Sequence, residues 1–525
     1  RGEAFLRKGR GRMLRSLENC SSFLEVWSRA VSENPDGVAF IAGGERYTYY
    51  EVERMSESFA ASLANDFGIE RGTPVAMVLP NSIPFIVAYL GIQKAGALPV
   101  PLNTRLKGEQ FDSLFNLVKP AAVIVDDRFR RTIEPLLEAH REIRYRIGVD
   151  VDEPDWDRCY SMTSGMSGDP PDFPLSPDDP AVVLFTSGTT GDPRGAVIRH
   201  GDLLWNIKVT GEVFDFGPSD VHMLTVPLFH CTGLESIFPA SVFHGSACVL
   251  DEQIAPSYLF DLIEGTGATT FITVPTVLYL LISWADFEPE RLSSLRLIGF
   301  SGAPMRTDAL RKLHELLPDV ELVNFYGLTE TTSIITCCRG EEIISRPDSI
   351  GRPCEGVDVR IARRGEPLPA GETGELQIHR RNVISAYFGA PGELEKRFAG
   401  DWFRTGDLAA RDEEGFFFLK GRNIDLIIVG GENVFAGEVE RVLDSHPQVR
   451  ESAVVGVPNK VFGEVVKAFV VPYQRGTADP LALKKFCFER LPSYKVPIEI
   501  EFLDELPRTP SGKVKKDLLR KSANR

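Results

Sequence analysis

Sulfur, basic charge and long apolar runs are all scarce in this sequence. Its 525 residues include 8 Cys and 7 Met. The cysteines, with Cys337 and Cys338 adjacent, form neither a dense disulfide framework nor paired Cys-x-x-Cys metal knuckles, so a reducing cytoplasm is the expected setting. Lys and Arg total 59 against 74 Asp and Glu, a formal net charge of −15. Nucleic acids and anionic membranes are held mainly by clustered cations, so neither is an expected general partner. The apolar run from Ile83 to Ile92 is far shorter than the roughly 18 residues of a membrane helix, and Pro275 interrupts the stretch from Phe271 to Trp284. No stable membrane insertion is expected. Arg1, Arg7, Lys8, Arg10, Arg12 and Arg15 make the N-terminus basic, yet no apolar segment follows as in a secretory signal. Residues 1–12, preceding Met13, are expected to be an upstream extension and are left out of the fold expectations.

What is present is ordinary globular composition, 43% hydrophobic and 25% charged, in a chain too long for one core, since cores stop growing at roughly 250 to 300 residues. Pro74 to Leu79 and Ala121 to Val125 have the pattern of short buried strands, and Pro84 to Ala95 that of a helix between them. Residues 150–180, rich in Asp, Pro, Ser and Gly, mark a surface connection. Ala181 to Phe185 is a continuous apolar strand of the kind found in sheets covered on both faces. Thr270 to Val274, Leu295 to Phe300 and Val320 to Phe325 are further strand candidates, each ending in a polar or Gly-rich turn. In such α/β sheets ligands collect beyond the carboxyl ends of strands. Past Gly421 the texture changes to a small α+β pattern, with helices at Gly437 to Ser445 and Pro480 to Arg490, strands at Ser452 to Val457 and Val465 to Val471, and a final segment from Pro507 to Leu519.

The first stretch with chemical content follows the apolar strand: Thr186, Ser187, Gly188, Thr189, Thr190, Gly191, Asp192, Pro193, Arg194, Gly195. Hydroxyl donors between glycines leave backbone N–H groups open to an anionic phosphate chain. Walker A spacing is absent, which disfavours a P-loop NTPase. Alone, such a stretch is commonly a solvated turn.

Its company changes that. Pro227-Leu228-Phe229-His230, Ser301-Gly302-Ala303-Pro304, Tyr326-Gly327-Leu328-Thr329-Glu330-Thr331, Thr405-Gly406-Asp407, Gly421-Arg422 and Pro510-Ser511-Gly512-Lys513 follow in order. With these motifs the chain, from about Phe23 to Leu519, resembles the adenylate-forming superfamily, and its acyl-CoA synthetase branch in particular. The resemblance implies an N-terminal extension at 1–22, a large α/β domain of several subdomains at 23–421 holding the ATP and acyl sites, and a small mobile α+β lid at 422–525. It implies ATP, Mg²⁺ and coenzyme A as cofactor and co-substrates, and a small carboxylic acid as substrate.

Site residues follow from the matching motifs. Thr186 to Gly191 and Arg194 are expected to cradle phosphates. Gly302, Ala303 and Pro304, with Asn324 and Tyr326 opposite, would hold the purine, and Asp407 with Arg422 the ribose hydroxyls. Thr329 would bond the α-phosphate, and Glu330 supplies the hard oxygen that Mg²⁺ prefers. Lys513 would bring its ammonium to the α-phosphate and acyl carboxylate, whereas Lys515 and Lys516 look like solvated charges. By the resemblance His230 would lie at the acyl pocket and thiol tunnel, with Cys231, Thr232, Gly233, Ser236, Thr331 and Thr332 near an acyl slot suited to an uncharged aryl or medium-chain acid. Gly430, Gly431, Glu432 and Asn433 would face the pantetheine arm after the lid rotates, because one rigid arrangement cannot complement both half-reactions.

Two positions depart from the family. Arg194 stands where Lys is usual, and Ile424 occupies the hinge, with Asp425 one residue later. Left open beside acid:CoA ligation are a carrier-protein phosphopantetheine acceptor and a luciferase-like or adenylate-binding protein, as is a homodimer.

Overall fold

The computed structural model describes residues 17, 19–151, 153, 156–158, 169–186, 193–422, 425–429, 432–459, 462–474, 476, 478–509 and 512–523. The expected extension at 1–12 therefore lies outside the described residues.

The largest sheet has 15 strands and changes character midway. Val38–Ala42, Ala247–Leu250, Val221–Leu224, Thr270–Thr273, Leu297–Phe300 and Glu321–Leu328 run parallel, side by side in that order. Thr270–Thr273 and Leu297–Phe300 are buried along their whole lengths, as parallel strands covered on both faces must be. Glu321–Leu328 then folds back on Ser333–Arg339, and the sheet continues antiparallel through Ser349–Pro353, Phe417–Arg422, Trp402–Arg411 and Thr373–His379.

A second sheet carries Leu98–Pro101, Pro74–Val78, Ala122–Asp126 and Tyr145–Val149, again parallel. Its crossover helix Ile83–Lys94 starts where Ser82 Oγ accepts the Phe85 N–H, with Pro84 in the first turn. That helix is buried from Ile83 to Gln93 apart from Pro84, so its residues are apolar nearly all round. The strand Pro180–Thr186 is covered as its sequence predicts, but its neighbour Arg194–Arg199 is antiparallel, in a three-stranded sheet with Ala386–Tyr387. The few residues between the two strands allow a hairpin and not a parallel crossover.

Near the C-terminus Glu432–Phe435, Leu426–Val429, Gly463–Pro472, Val449–Asn459 and Glu499–Phe502 form a separate sheet. Alternation places Val466, Ala468 and Val470 against helices Ala436–Asp444 and Pro480–Phe488, while Phe469 and Val471 face Leu519 of helix Lys516–Ala523. Among the described residues no helix is long and apolar enough to cross a membrane.

Two buried histidines hold neutral positions in the large domain. His222 bonds Thr270 Oγ1 and Ser246 Oγ, each at 2.8 Å; His200 Nδ1 accepts the Phe23 N–H at 3.3 Å. Burial holds His222 down at about 3 and His200 at about 4. The unfolded chain takes up these protons near pH 6.5, so the stability they contribute is complete above that pH and is lost as pH falls toward 4. Urea titrations at stepped pH should show stability falling by up to about 1.4 kcal/mol per pH unit per histidine across that window. His222→Gln should make the dependence shallower; an unchanged slope would contradict the assignment.

The return from Glu321–Leu328 into Ser333–Arg339 is unusually tight. A Cβ on Gly327 would lie 1.3 Å from the Ser333 carbonyl oxygen, and Thr332 and Ser333 both have positive φ, at 50° and 80°. Gly327→Ala should cost about 2 kcal/mol or more. Gly400→Ala, at φ 62° with open space around it, should cost roughly 1 kcal/mol from backbone strain alone. Melting temperatures of the two variants measure the difference, and equal losses would show that Gly327 is not sterically required.

Candidate active site

Leu297–Phe300 ends opposite Asn324, and Glu321–Leu328 runs four residues beyond it. Beyond Phe300 the chain turns through Gly302, Ala303 and Pro304, all exposed, with Gly302 at φ 84°. Asn324 Nδ2 donates to the Ser349 carbonyl at 2.8 Å. The Tyr326 hydroxyl donates to Asp407 Oδ2 at 2.6 Å, and the Asp407 N–H donates to Thr405 Oγ1 at 3.0 Å. Asp407 is 8% exposed and pairs in register with Arg422 on the adjacent strand. The expected purine and ribose groups Asn324, Tyr326 and Asp407 thus lie along or against Glu321–Leu328, the strand at which the sheet's parallel half gives way to its antiparallel half.

Just past Leu328, a single turn at Thr329–Thr331 lowers Glu330 into the interior, 8% exposed. The Leu328 N–H donates to Thr331 Oγ1 at 3.0 Å, and the Ile384 N–H to the Glu330 carbonyl at 2.9 Å. Glu330 Oε1 accepts the Tyr387 hydroxyl at 2.7 Å and lies 3.8 Å from Arg397 Nη1. Burial, followed by the Glu330 charge, pushes the Tyr387 phenol up. Tyr387 lies on the short strand paired with Arg194–Arg199, and the Arg194 guanidinium sits 5.5 Å from its ring centroid. Thr186 Oγ1 donates to the Arg194 carbonyl at 3.4 Å, so the phosphate-loop strand and Glu330 converge through Tyr387. Sequence reasoning missed Tyr387 and Arg397. No motif marks them: the pairing of Ala386–Tyr387 with a distant strand brings Tyr387 to Glu330, and Arg397 is held there by the carbonyls of Arg404 and Thr405.

The donor set suits Mg²⁺ carried largely by substrate. Among the described residues no three His, Cys, Asp or Glu side chains gather into a cage, and Glu330 offers one carboxylate with Oε2 outside the Tyr387 bond. One carboxylate plus phosphate oxygens is an ordinary magnesium arrangement.

On the facing side, His230 donates its backbone N–H to the Pro227 carbonyl at 3.0 Å and leads into a π-helix at Thr232–Ile237. Thr329 Oγ1 and Cys231 Sγ are 3.7 Å apart, which makes Cys231 a wall beside the Glu330 turn. Burial lowers His230 to about 4, with the positive charges of Lys513 and Arg105 acting in the same direction. The imidazole is therefore neutral at neutral pH, and the Lys513 ammonium is close enough to contribute to its electrostatic environment. Lys513 is held in a small turn: its carbonyl accepts the Thr509 N–H at 2.7 Å, and its own N–H donates to Thr509 Oγ1 at 3.1 Å. Arg105 is a second cation that carried no motif.

Ser187, Gly188, Thr189, Thr190, Gly191, Ile424, Gly430 and Gly431 lie outside the described residues. Arg422 and Glu432 belong to the strands Phe417–Arg422 and Glu432–Phe435. Lys516 corrects one expectation. Its side chain is 17% exposed and sits 2.6 Å from Glu440 and 3.7 Å from Asp425, so it is a packed ion-pair partner and not a solvated charge. Asp425, beside the expected hinge, also pairs with Arg520 at 2.6 Å.

Residues 27–388 match the AMP-binding enzyme family, and 438–513 match the AMP-binding enzyme C-terminal domain. An indoleacetate–CoA ligase of Aromatoleum aromaticum is 33% identical over 89% of this chain and 91% of its own length. A feruloyl-CoA synthase of an Amycolatopsis species is 32% identical over 94% of this chain and 97% of its own. The o-succinylbenzoate CoA synthetase of Bacillus subtilis, solved with its acyl-adenylate intermediate, superposes with a TM-score of 0.86 at 28% identity, covering 95% of this chain and 98% of that one. With its motifs, its two-part α/β architecture and these likenesses in accord, the chain belongs to the AMP-binding enzyme family.

Proposed function

We propose that the protein is an AMP-forming acid:CoA ligase, which activates a carboxylic acid as an acyl-adenylate with release of pyrophosphate and then passes the acyl group to the thiol of coenzyme A. What supports this reading is that the Thr329–Glu330 turn lies against Cys231, the neighbour of neutral His230, and that the charge of Lys513 from the small domain acts on the same imidazole. Adenylation needs such a gathering, since the carboxylate and the phosphate it attacks repel each other.

In this proposal Gly302, Ala303 and Pro304, with Asn324 and Tyr326, hold the purine, and Asp407, fixed by Tyr326, takes the ribose hydroxyls with Arg422. Thr186 to Gly191 and Arg194 hold the phosphates, and Thr329 the α-phosphate. Arg for Lys keeps the charge at 194 but presents a planar fork, which here lies against the Tyr387 ring. When bound, Mg²⁺ would neutralise phosphate charge, and Glu330, oriented by Tyr387 and Arg397, would hold it. Lys513 stabilises the negative charge that builds up as the carboxylate oxygen bonds to the α-phosphorus and the bond to pyrophosphate breaks.

His230, half-buried and neutral, places no charge against the acyl group, which suits an uncharged acid. Two relatives named for indoleacetate and feruloyl substrates support an aryl acid for this chain. Rotation of the segment 422–525 would then withdraw Lys513 and bring Gly430, Gly431 and Glu432 toward the pantetheine arm.

Two measurements test this. Acid-dependent pyrophosphate release across a panel of carboxylic acids should occur, with acyl-CoA formed when CoA is present. Pyrophosphate release without acyl-CoA would favour a carrier-protein acceptor, and no release with any acid would overturn the ligase assignment. Lys513→Ala should reduce adenylation by about 10² to 10³ while sparing thioester formation from supplied acyl-adenylate. Equal loss in both halves would contradict its role.

A further inference from the structure

Two cysteines that the ligase reading leaves without a task stand side by side. Ser333–Arg339 and Ser349–Pro353 run antiparallel with Cys337 opposite Arg352, and the Cys354 N–H extends the ladder by donating to the Ile335 carbonyl at 2.8 Å. Cys354 is therefore diagonal to Cys337 and on the same face of the pair. Packing agrees: Cys337 and Cys354 both join the large core with Phe325 and Trp205, whereas the adjacent Cys338 points into the other core with Ile343. The two strands also come unusually close here. A Cβ on Gly351, at φ 87°, would lie 1.8 Å from the Cys337 carbonyl oxygen.

The two thiols differ in kind. Cys337 is half-buried, and Cys354 is 9% exposed. Hydrogen bonding with Cys354, joined by the charge of Arg339, holds the Cys337 thiol below the ordinary cysteine value against burial and the charges of Glu342 and Glu321. The same bond, with burial, pushes Cys354 up. Elsewhere among the described residues, burial pushes Cys231, Cys248 and Cys338 up to about 12 and Cys487 to about 11, and raises Cys20. A half-buried thiol with an enlarged thiolate fraction, beside a second thiol that can resolve it, is the arrangement that reversible oxidation requires.

We propose that Cys337 and Cys354 form a peroxide-sensitive thiol pair that closes reversibly to an intramolecular disulfide. The Cys337 thiolate attacks one oxygen of hydrogen peroxide, the O–O bond breaks, and the departing hydroxide takes a proton to leave as water. The Cys354 sulfur then attacks the resulting sulfenic sulfur. The S–S bond forms, the S–O bond breaks, and that oxygen leaves as a second water with the Cys354 proton. Two thiols are thus oxidised by two electrons while the peroxide is reduced to water. Because Cys354 captures the sulfenic acid, Cys337 stays on the reversible part of the oxidation series. The bond forms on strands that back the expected purine groups: Asn324 stands opposite Cys338 and bonds the Ser349 carbonyl, and Tyr326 stands opposite Thr336.

The test exposes the reduced full-length protein to hydrogen peroxide, blocks remaining thiols with maleimide, and maps the cysteine peptides of the single-chain fraction by mass spectrometry. The expected result is a peptide linking Cys337 to Cys354, lighter by two hydrogens and reopened by dithiothreitol. Cys337 should react at least about tenfold faster than Cys248 or Cys338. In Cys354→Ser, Cys337 should stop at the sulfenic acid and be captured by dimedone; in Cys337→Ser, Cys354 should keep its thiol. Absence of the linked peptide, linkage of either cysteine to a different one, or equal oxidation of all the cysteines overturns the pair and leaves the ligase reading untouched. The wild-type map decides this even where a variant fails to fold.

Discussion

Burial of two carboxylates, Glu330 just past the end of Glu321–Leu328 and Asp407 against Tyr326 within it, is the constraint around which the large domain is arranged. Glu330 and Asp407 are each 8% exposed, and a carboxylate removed from water must be hydrogen-bonded to be tolerated. A tyrosine meets each of them: Tyr387 for Glu330 and Tyr326 for Asp407. These two bonds tie the end of Glu321–Leu328 to the antiparallel half of the great sheet on one side and to the phosphate-loop hairpin on the other. The Asp407 and Glu330 carboxylates are thereby fixed relative to each other by the same bonds that make the burial tolerable. The strained pair Thr332 and Ser333 and the Cβ-free approach at Gly327 follow from the sharp return that the turn requires.

The same constraint resolves the charge balance. A chain of net charge −15 that handles ATP and an acid must concentrate cations locally. Arg194 and Arg397 stand around Tyr387 and Glu330, while Lys513 and Arg105 act on His230 from the other side. These are placed single charges and not a basic surface. Lys513 comes from the small domain, so the positive charge at this end of the site depends on that domain being docked.

Much of the scaffold was legible because its signals are local. The strands at Pro74, Ala122, Thr270 and Leu297 stand where continuous apolar runs demand covered strands, and the helix at Ile83 begins at its Ser82 cap. The motif residues Asp407, Tyr326, Asn324 and Glu330 could be named for the same reason: short-range spacing sets their turns. Tyr387, Arg397 and Arg105 could not, because each matters through a partner distant in the chain. Lys516 was misjudged on the same account, since a lysine in a basic tail is ordinarily solvated and only tertiary packing sets it between Asp425 and Glu440.

By itself the sequence determined the two-part α/β plan and the family, since periodicity and ordered motifs are properties of neighbours along the chain. The tertiary structure alone decided which tyrosine holds which carboxylate, which cations act on His230, and that Pro180–Thr186 pairs antiparallel. Pairing and burial are relations between segments far apart in sequence, and no local pattern encodes the distance between them.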